Sequence, residues 1–307
     1  MKPKVIVIGG PTASGKTSLG VELAKRINGE VISADSMQIY KDMTIGTAKP
    51  LPEEMDGIPH HLIDFVSPDE RYSVADFKLD AEKKIEEILN RGKVPIVVGG
   101  TGLYIDTLIY GIEYPEIKFD EIYRNELMHK ATTEEGLTEL YQEAKKIDPE
   151  AIQKISPNDK KRITRIIELY KATGKNKTEL EKISRANDIK YDYKVFAINM
   201  DREKLYERIN LRVDLMIENG LIDEVNNIIK KYEKFPTAMQ GLGYKEVVQF
   251  LNGEITEVEM IDKIKQESRR YAKRQLTWFR KNKNIVWIDG LSPKEENINL
   301  ILEILKN

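Results

Sequence analysis

The 307-residue chain predicts an α/β fold, a buried parallel sheet with helices on both faces. Three observations carry that expectation. Short apolar runs rich in β-branched residues recur along the chain, helical periodicity fills the intervals, and the first run passes through a glycine-rich turn directly into a helix.

The runs are Val5 to Ile8, Val31 to Ile32, Ile96 to Val98, Val195 to Ile198 and Ile285 to Ile288. The first enters Gly10-Pro11-Thr12-Ala13-Ser14-Gly15-Lys16-Thr17, after which Leu19, Leu23 and Ile27 recur at four-residue spacing, so the order is strand, loop, helix. Glycines at these positions let backbone N–H groups converge on an anion at the positive end of a helix dipole. Lys16 adds a point charge, and the Thr17 hydroxyl can ligate Mg²⁺. The loop is therefore expected to hold phosphate.

The second run leads into Asp35-Ser36-Met37-Gln38-Ile39-Tyr40. Ligand crevices of parallel sheets lie outside the carboxyl ends of the strands, so Asp35 is expected to face the site. A turn-capping Asp is one reading of that position; a general base or a metal ligand is the other. Farther on, Ser73-x-x-Asp76 caps a helix whose Phe77, Ala81, Ile85 and Ile88 form one apolar stripe, ended by Arg91-Gly92. The third run ends in Gly99-Gly100-Thr101-Gly102, where a P-loop hydrolase would place an Asp for the Mg²⁺ shell. Nucleotide hydrolysis is thereby disfavoured.

The interval from Val98 to Val195 far exceeds what a crossover needs, and its periodic segments read as helical: Ile122 to Leu127, Leu137 to Ile147, Ile152 to Ile155 and Ile163 to Tyr170. An inserted all-helical domain over 114–190 is expected, with 1–113 and 191–307 forming the α/β core. Pro115 and the polar, turn-rich stretch Gly174 to Asp192 mark its edges. After the fourth run, Asp201 opens a helix carrying Arg208 and Arg212 one turn apart. Two such guanidiniums could clamp a diphosphate, or form a solvated face with Glu203 and Glu207.

The 49 basic and 51 acidic residues leave a net charge of −2, so only local charge can point to a polyanionic partner. Lys265 to Lys283 supplies it: eight cations face Glu267 alone, with Tyr271, Trp278 and Phe279 interleaved. A basic amphipathic helix with core aromatics would read the same way. A second cluster, Lys160, Lys161, Arg162 and Arg165, follows the cap signal Ser156-Pro157-Asn158-Asp159. With no cysteine there is no disulfide or thiolate chemistry, and His60, His61 and His129 are too few for most metal clusters; the adjacent pair would point different ways in an extended segment. The first strand starts by residue 4, leaving no room for a signal peptide, and no apolar run nears the roughly 18 residues of a membrane span. A cytoplasmic location without membrane contact is the default expectation.

Read together, the motifs resemble those of the tRNA dimethylallyltransferases, or tRNA isopentenyltransferases. The likeness runs through GPTASGKT (Gly10 to Thr17), DSMQIY (Asp35 to Tyr40), GTAKP (Gly46 to Pro50), PHHLID (Pro59 to Asp64), YSVADF (Tyr72 to Phe77), VGGTGLY (Val98 to Tyr104), PNDKKRITR (Pro157 to Arg165), QGLGYKE (Gln240 to Glu246) and AKRQLTWFR (Ala272 to Arg280). These nine motifs, in the family's order, span nearly the whole chain. The chain is similar to the bacterial form, which lacks the C-terminal zinc finger of eukaryotic members.

The resemblance implies a P-loop kinase-like α/β core and transfer of a dimethylallyl group from dimethylallyl diphosphate to N6 of the adenosine 3′ to the tRNA anticodon. In that reading Gly10 to Thr17 holds diphosphate, with Mg²⁺ on Thr17. Asp35 is the general base, Thr101 orients Asp35 or the diphosphate, and Arg212 stabilises the leaving group. The target base flips into the site, where Asp35, Ser36, Met37, Gln38 and Thr101 meet it. The anticodon stem-loop is held by Arg124, Lys161, Arg162 and Arg165, Gly241 and Gly243 let backbone approach the nucleotide, and Ile163, Thr164, Gln240, Tyr244, Arg274 and Lys281 are further tRNA-binding positions. A monomer is implied as well. A P-loop small-molecule kinase and an isopentenyltransferase acting on free adenylate share much of this pattern and remain the alternatives.

Overall fold

The computed structural model describes residues 2–114, 120–184 and 189–306. The chain separates into two compact units, one of Met1–Ile109 with Lys190–Asn307 and the other of Tyr110–Ile189. The helical unit thus begins four residues earlier than expected and ends one residue earlier. Pro115 lies outside the described residues.

In the first unit the strands are β1 (Lys4–Gly9), β2 (Gly29–Ser33), β3 (His60–His61), β4 (Val94–Gly99), β5 (Asp192–Asn199) and β6 (Val286–Asp289). Among the described residues they form one parallel sheet ordered β3-β2-β4-β1-β5-β6. The side-chain alternation of a strand assigns the faces. Val5 and Val7 point to α3 (Val74–Asn90) and α4 (Gly102–Ile109), against Phe77, Ala81, Ile85 and Leu108. Ile6 and Ile8 point to α1 (Lys16–Ile27) and α14 (Lys294–Lys306), against Leu19, Leu23, Ile298 and Ile301. Both faces being covered explains why the strand sequences read as unbroken apolar runs. The cap of α3 forms reciprocally: Asp76 N–H donates to Ser73 Oγ at 3.3 Å and Ser73 N–H donates to Asp76 Oδ2 at 2.8 Å.

The two-residue strand β3 has no counterpart in the sequence expectation, because two residues show no periodicity. It pairs Val31 with His60 and Ile32 with His61. The histidines do diverge: His60 Nδ1 lies 2.8 Å from Ile58 O, and His61 Nε2 lies 2.7 Å from Glu30 Oε2. Glu30, 3% exposed, also accepts from Arg91 at 2.6 Å and pairs with Lys93 at 2.9 Å. Burial alone would raise the Glu30 carboxyl, but the Arg91, Lys93 and His61 donors outweigh it and hold it at about 2. The folded value lies below the ordinary 4.5, so this stabilisation is complete above pH 4.5 and is lost as pH falls towards 2. Glu30→Gln is expected to lower the unfolding free energy at neutral pH by on the order of 2–3 kcal/mol. Chemical denaturation should show the gap to wild type closing across that acid window; a gap constant with pH would refute the assignment.

A second layer of helices follows β5: α10 (Arg202–Glu218), α11 (Leu221–Lys231), α12 (Tyr244–Leu251) and α13 (Glu257–Phe279). They share a core with the segment after β2, in which Ile39, Tyr40 and Met43 pack against Val213, Val225, Tyr244 and Ile264. A short turn of helix, α2 (Pro52–Met55), follows that segment.

The helical unit comprises α5 (Glu121–Lys130), α6 (Glu134–Ile147), α7 (Pro149–Ile152), α8 (Lys160–Thr173) and α9 (Lys177–Ser184). Its core joins Leu127, Leu140, Ala144, Ile152, Ile163 and Ile167. The stretch after Gly174 is not turn-rich throughout, as its polarity suggests, because α9 lies within it. Asn176 and Glu179 cap that helix reciprocally, with bonds of 2.8 and 2.9 Å. No helix among the described residues is long and apolar enough to cross a membrane.

Candidate active site

Strands β1, β2 and β4 lie side by side, and their carboxyl ends deliver the phosphate loop, Asp35 and Gly99 to one cavity of about 350 Å³. Within the loop, Gly15 adopts a left-handed conformation (φ 88°) as the N-cap of α1, a geometry in which a side chain would be strained. Lys16 and Thr17 line the cavity, and Lys16 Nζ donates to Pro11 O at 3.1 Å. Burial lowers the Lys16 ammonium to about 8; Asp35 acts to raise it and Arg212 to lower it further. Within the loop the Ser14 hydroxyl is buried without a hydrogen-bond partner.

The glycines after β4 are explained by what crosses them. A Cβ at Gly99 would fall 2.2 Å from Ala34 O, one at Gly100 would fall 2.2 Å from Gln275 Nε2, and one at Gly102 would fall 2.4 Å from the Trp278 ring. Gln275 is the brace behind this packing. Its Oε1 accepts from Thr12 N–H at 2.9 Å and its Nε2 donates to Gly100 O at 2.9 Å, fastening the phosphate loop to the end of β4 from α13. Sequence reasoning did not single out Gln275, whose only signal is its place inside AKRQLTWFR.

Asp35 caps a turn, as one of its two expected readings has it, and it faces the cavity. Its Oδ1 accepts from Met37 N–H at 2.9 Å and Gln38 N–H at 3.4 Å, an Asx-type turn, while the residue lines the cavity with Ser36, Met37 and Gln38. Thr101 stands behind it: Ser36 N–H donates to Thr101 Oγ1 at 3.0 Å, and Thr101 Oγ1 donates to Ser36 Oγ at 3.3 Å. Tyr271 also bonds to Thr101, and burial together with the Asp35 charge pushes its phenol up to about 12. Thr101 is therefore adjacent to the cavity rather than on its surface.

The expected pair of arginines is not a pair. Arg212 lines the cavity, but Arg208 is exposed and lies outside it, because Ile209 and Val213 turn the intervening face inward. Arg212 Nη2 donates to Thr47 O at 3.3 Å and its buried Nε has no partner. Burial lowers its guanidinium, with Asp35 and Glu54 acting to raise it. Gln38 spends its amide on the same loop, Nε2 donating to Thr47 O at 3.3 Å and Ala48 O at 3.1 Å. Val213, Met216, Leu242 and Ile264 give the cavity an apolar wall.

Of the residues expected to meet RNA in the first unit, Gln240, Gly241, Tyr244 and Arg274 line the cavity. Tyr244 is fully buried and its hydroxyl donates to Glu224 Oε1 at 2.6 Å, so it is part of the packing and not an exposed contact. A Cβ at Gly241 would lie 2.6 Å from Met37 Cε, and Gly243, with φ 93°, is the N-cap of α12. Lys281 is exposed, with its ammonium 5.0 Å from the Trp278 ring centroid, and lies outside the cavity lining. Two of the interleaved aromatics of α13 are committed elsewhere, Phe279 to the core and Trp278 through its Nε1, which donates to Asp106 at 2.8 Å, whereas Tyr271 lines the cavity.

In the helical unit Lys161 and Arg162 are exposed on α8, while Arg124 and Arg165 flank Glu168 at 3.6 and 3.2 Å. Ile163 and Thr164 do not belong with them. Ile163 is in the core, and Thr164, 1% exposed, donates its hydroxyl to Lys160 O at 2.9 Å, because a helix carrying cations on one face buries the other.

Comparison with known proteins gives this geometry its setting. A family model described as IPP transferase matches residues 38–282. The tRNA dimethylallyltransferase of Acetivibrio thermocellus is 54% identical over 286 residues, 93% of this chain and 91% of its own. That of Carboxydothermus hydrogenoformans is 50% identical over 97% of this chain and 96% of its own. Among solved structures, the tRNA isopentenylpyrophosphate transferase of Bacillus halodurans matches with a TM-score of 0.74 at 44% identity, covering 99% of this chain and 96% of that one. A eukaryotic dimethylallyltransferase, solved acting on tRNA, gives a TM-score of 0.79 at 32% identity over 99% of this chain and 79% of its own. Likeness of that extent, in sequence and in structure together, means that the chain belongs to the IPP transferase family.

Proposed function

We propose that the protein transfers a dimethylallyl group from dimethylallyl diphosphate to the N6 amine of the adenosine 3′ to the anticodon in tRNA, releasing diphosphate. The observation that carries this reading is the company Asp35 keeps. A carboxylate from the end of β2 shares an apolar-walled cavity with Lys16 and Arg212, while the strand beside the phosphate loop ends in glycines. Cations for an anionic leaving group, a base for an incoming amine and a wall for a five-carbon chain suit allylic transfer better than water activation.

In the reaction N6 attacks the allylic carbon and the carbon–oxygen bond to diphosphate breaks. The proton lost from N6 passes to Asp35, whose Oδ1 is held by the main chain so that Oδ2 is available. Lys16 and Arg212 take up the charge that develops on the departing oxygens. The Thr17 hydroxyl is a hard oxygen donor at the cavity, and a metal held by one side chain and substrate phosphates fits Mg²⁺; among the described residues no cluster of three His, Cys, Asp or Glu offers an all-protein site. When bound, Mg²⁺ would neutralise diphosphate charge. Lys161, Arg162, Arg165 and Arg124 of the helical unit, and Arg274 and Lys281 of α13, are assigned to the stem-loop, and the flipped base meets Met37 and Gln38. The reading includes a monomeric, cytoplasmic enzyme.

Incubation with unmodified tRNA and labelled dimethylallyl diphosphate, followed by nucleoside mass analysis, tests donor, acceptor and position together. Prenylation of free AMP as readily as tRNA, or phosphate transfer from ATP with no prenyl transfer, would overturn the reading. A further expectation concerns pH. Lys16 loses its proton near pH 8 in the free protein, and diphosphate favours the charged form. The dissociation constant for dimethylallyl diphosphate should therefore rise by up to about tenfold per pH unit above 8. Titration calorimetry in buffers of different ionisation enthalpy should detect proton uptake there; no uptake would remove Lys16 from the binding equilibrium.

A further inference from the structure

Glu224 stands in α11, outside the cavity lining, yet every bond its carboxylate makes holds the cavity wall. Oε2 accepts from Thr44 N–H at 2.9 Å and Ile45 N–H at 2.7 Å. Oε1 accepts from Gly46 N–H at 3.1 Å and the Tyr244 hydroxyl at 2.6 Å. Three successive main-chain donors converging on one anion form a nest. The carbonyls that follow serve the site: Thr47 O accepts from both Arg212 and Gln38, and Ala48 O accepts from Gln38. The nest is closed by packing as well, since a Cβ at Gly46 would lie 2.5 Å from the Tyr244 ring.

We propose that Glu224 is a positioning residue for the transfer reaction: its carboxylate fixes the loop from Thr44 to Ala48, and that loop, with Gln38 bonded to it, aims the Arg212 guanidinium at the leaving group. The inference rests on the transferase reading above. Glu224 touches no substrate and acts only through the loop. The requirement is for a carboxylate in particular, because all three main-chain partners are donors. An amide of the same shape has one accepting atom and would turn N–H groups towards a main-chain N–H. Displacing a guanidinium that must meet a leaving group is costly even at the scale of an ångström.

Glu224→Gln is expected to lower kcat/KM for dimethylallyl diphosphate by about 10- to 100-fold per folded enzyme. Affinity for unmodified tRNA, measured without donor, should stay within about twofold, since phosphate contacts elsewhere supply it. Asp223→Asn makes the same charge change one residue away without touching the loop, and should match wild type. Wild-type kcat/KM in Glu224→Gln, or equal loss in Asp223→Asn, would overturn the inference. Should Glu224→Gln fail to fold, hydrogen exchange in the wild-type protein decides: the Thr44, Ile45 and Gly46 amides are expected to be protected as strongly as the α11 backbone, and fast exchange at all three would refute the nest. A wild-type protein that transfers no prenyl group would instead refute the transferase reading, which keeps the two failures distinct.

Discussion

Asp35→Asn is expected to cost about 10²- to 10⁴-fold in kcat while leaving both substrates bound. The substitution is close to geometrically silent. Asparagine keeps an oxygen for the Met37 and Gln38 N–H groups, so the turn that shapes the segment after β2 survives. What disappears is the atom that can take a proton from an aryl amine. A second effect runs through Lys16: the Asp35 charge raises the lysine, so its removal lets burial depress Lys16 below about 8. Measurements belong near pH 7, where that shift bears least on diphosphate binding. Single-turnover rates with pre-bound tRNA and donor would separate the steps. Turnover within about threefold of wild type would exclude Asp35 as the base.

The second large effect is expected at Arg212. Its guanidinium is tethered by one nitrogen to Thr47 O while the buried Nε has no partner, an arrangement with donors in reserve for an anion. Arg212→Ala should reduce kcat/KM for dimethylallyl diphosphate by about 10²- to 10³-fold, the usual consequence of deleting one preorganised donor at a developing negative charge. Arg212→Lys should recover only part of this, because an ammonium lacks the planar fork. The fold should tolerate both, since Gln38 still donates to Thr47 O. Steady-state kinetics with varied donor check the expectation, and unchanged kcat and KM in Arg212→Ala would exclude the residue.

Much of this site is legible in the sequence because its chemistry is local. The phosphate loop, the Asp35 segment and the glycines after β4 are contiguous runs at strand ends, so period and turn chemistry place them at the same edge of the sheet. The helical insertion is legible for the same reason, as amphipathic stripes, although the segment expected to be helical from Ile152 to Ile155 is, past the last residue of α7 (Pro149–Ile152), a turn. Helix α9 escapes altogether, since its polarity masks the Asn176–Glu179 cap that marks it. Gln275 and Glu224 are a different case. Each is a lone polar residue in a helix, and its meaning comes from partners 263 and about 180 positions away, brought near by packing that no local pattern encodes. The same limit accounts for Ile163, Thr164 and Tyr244. A motif marks a stretch as important without saying which side chains face inward.

The Gln275 brace also sets a clock on the enzyme's birth. The phosphate loop leaves the ribosome well ahead of α13, and its fastening to Gly100 waits for a side chain 263 positions downstream of Thr12. At roughly 5–20 residues per second the newborn loop spends roughly 13–50 s without its fastener. A nascent chain therefore carries the signature of a phosphate site well before the brace behind it exists, and a fragment that ends ahead of α13 keeps the signature without the brace.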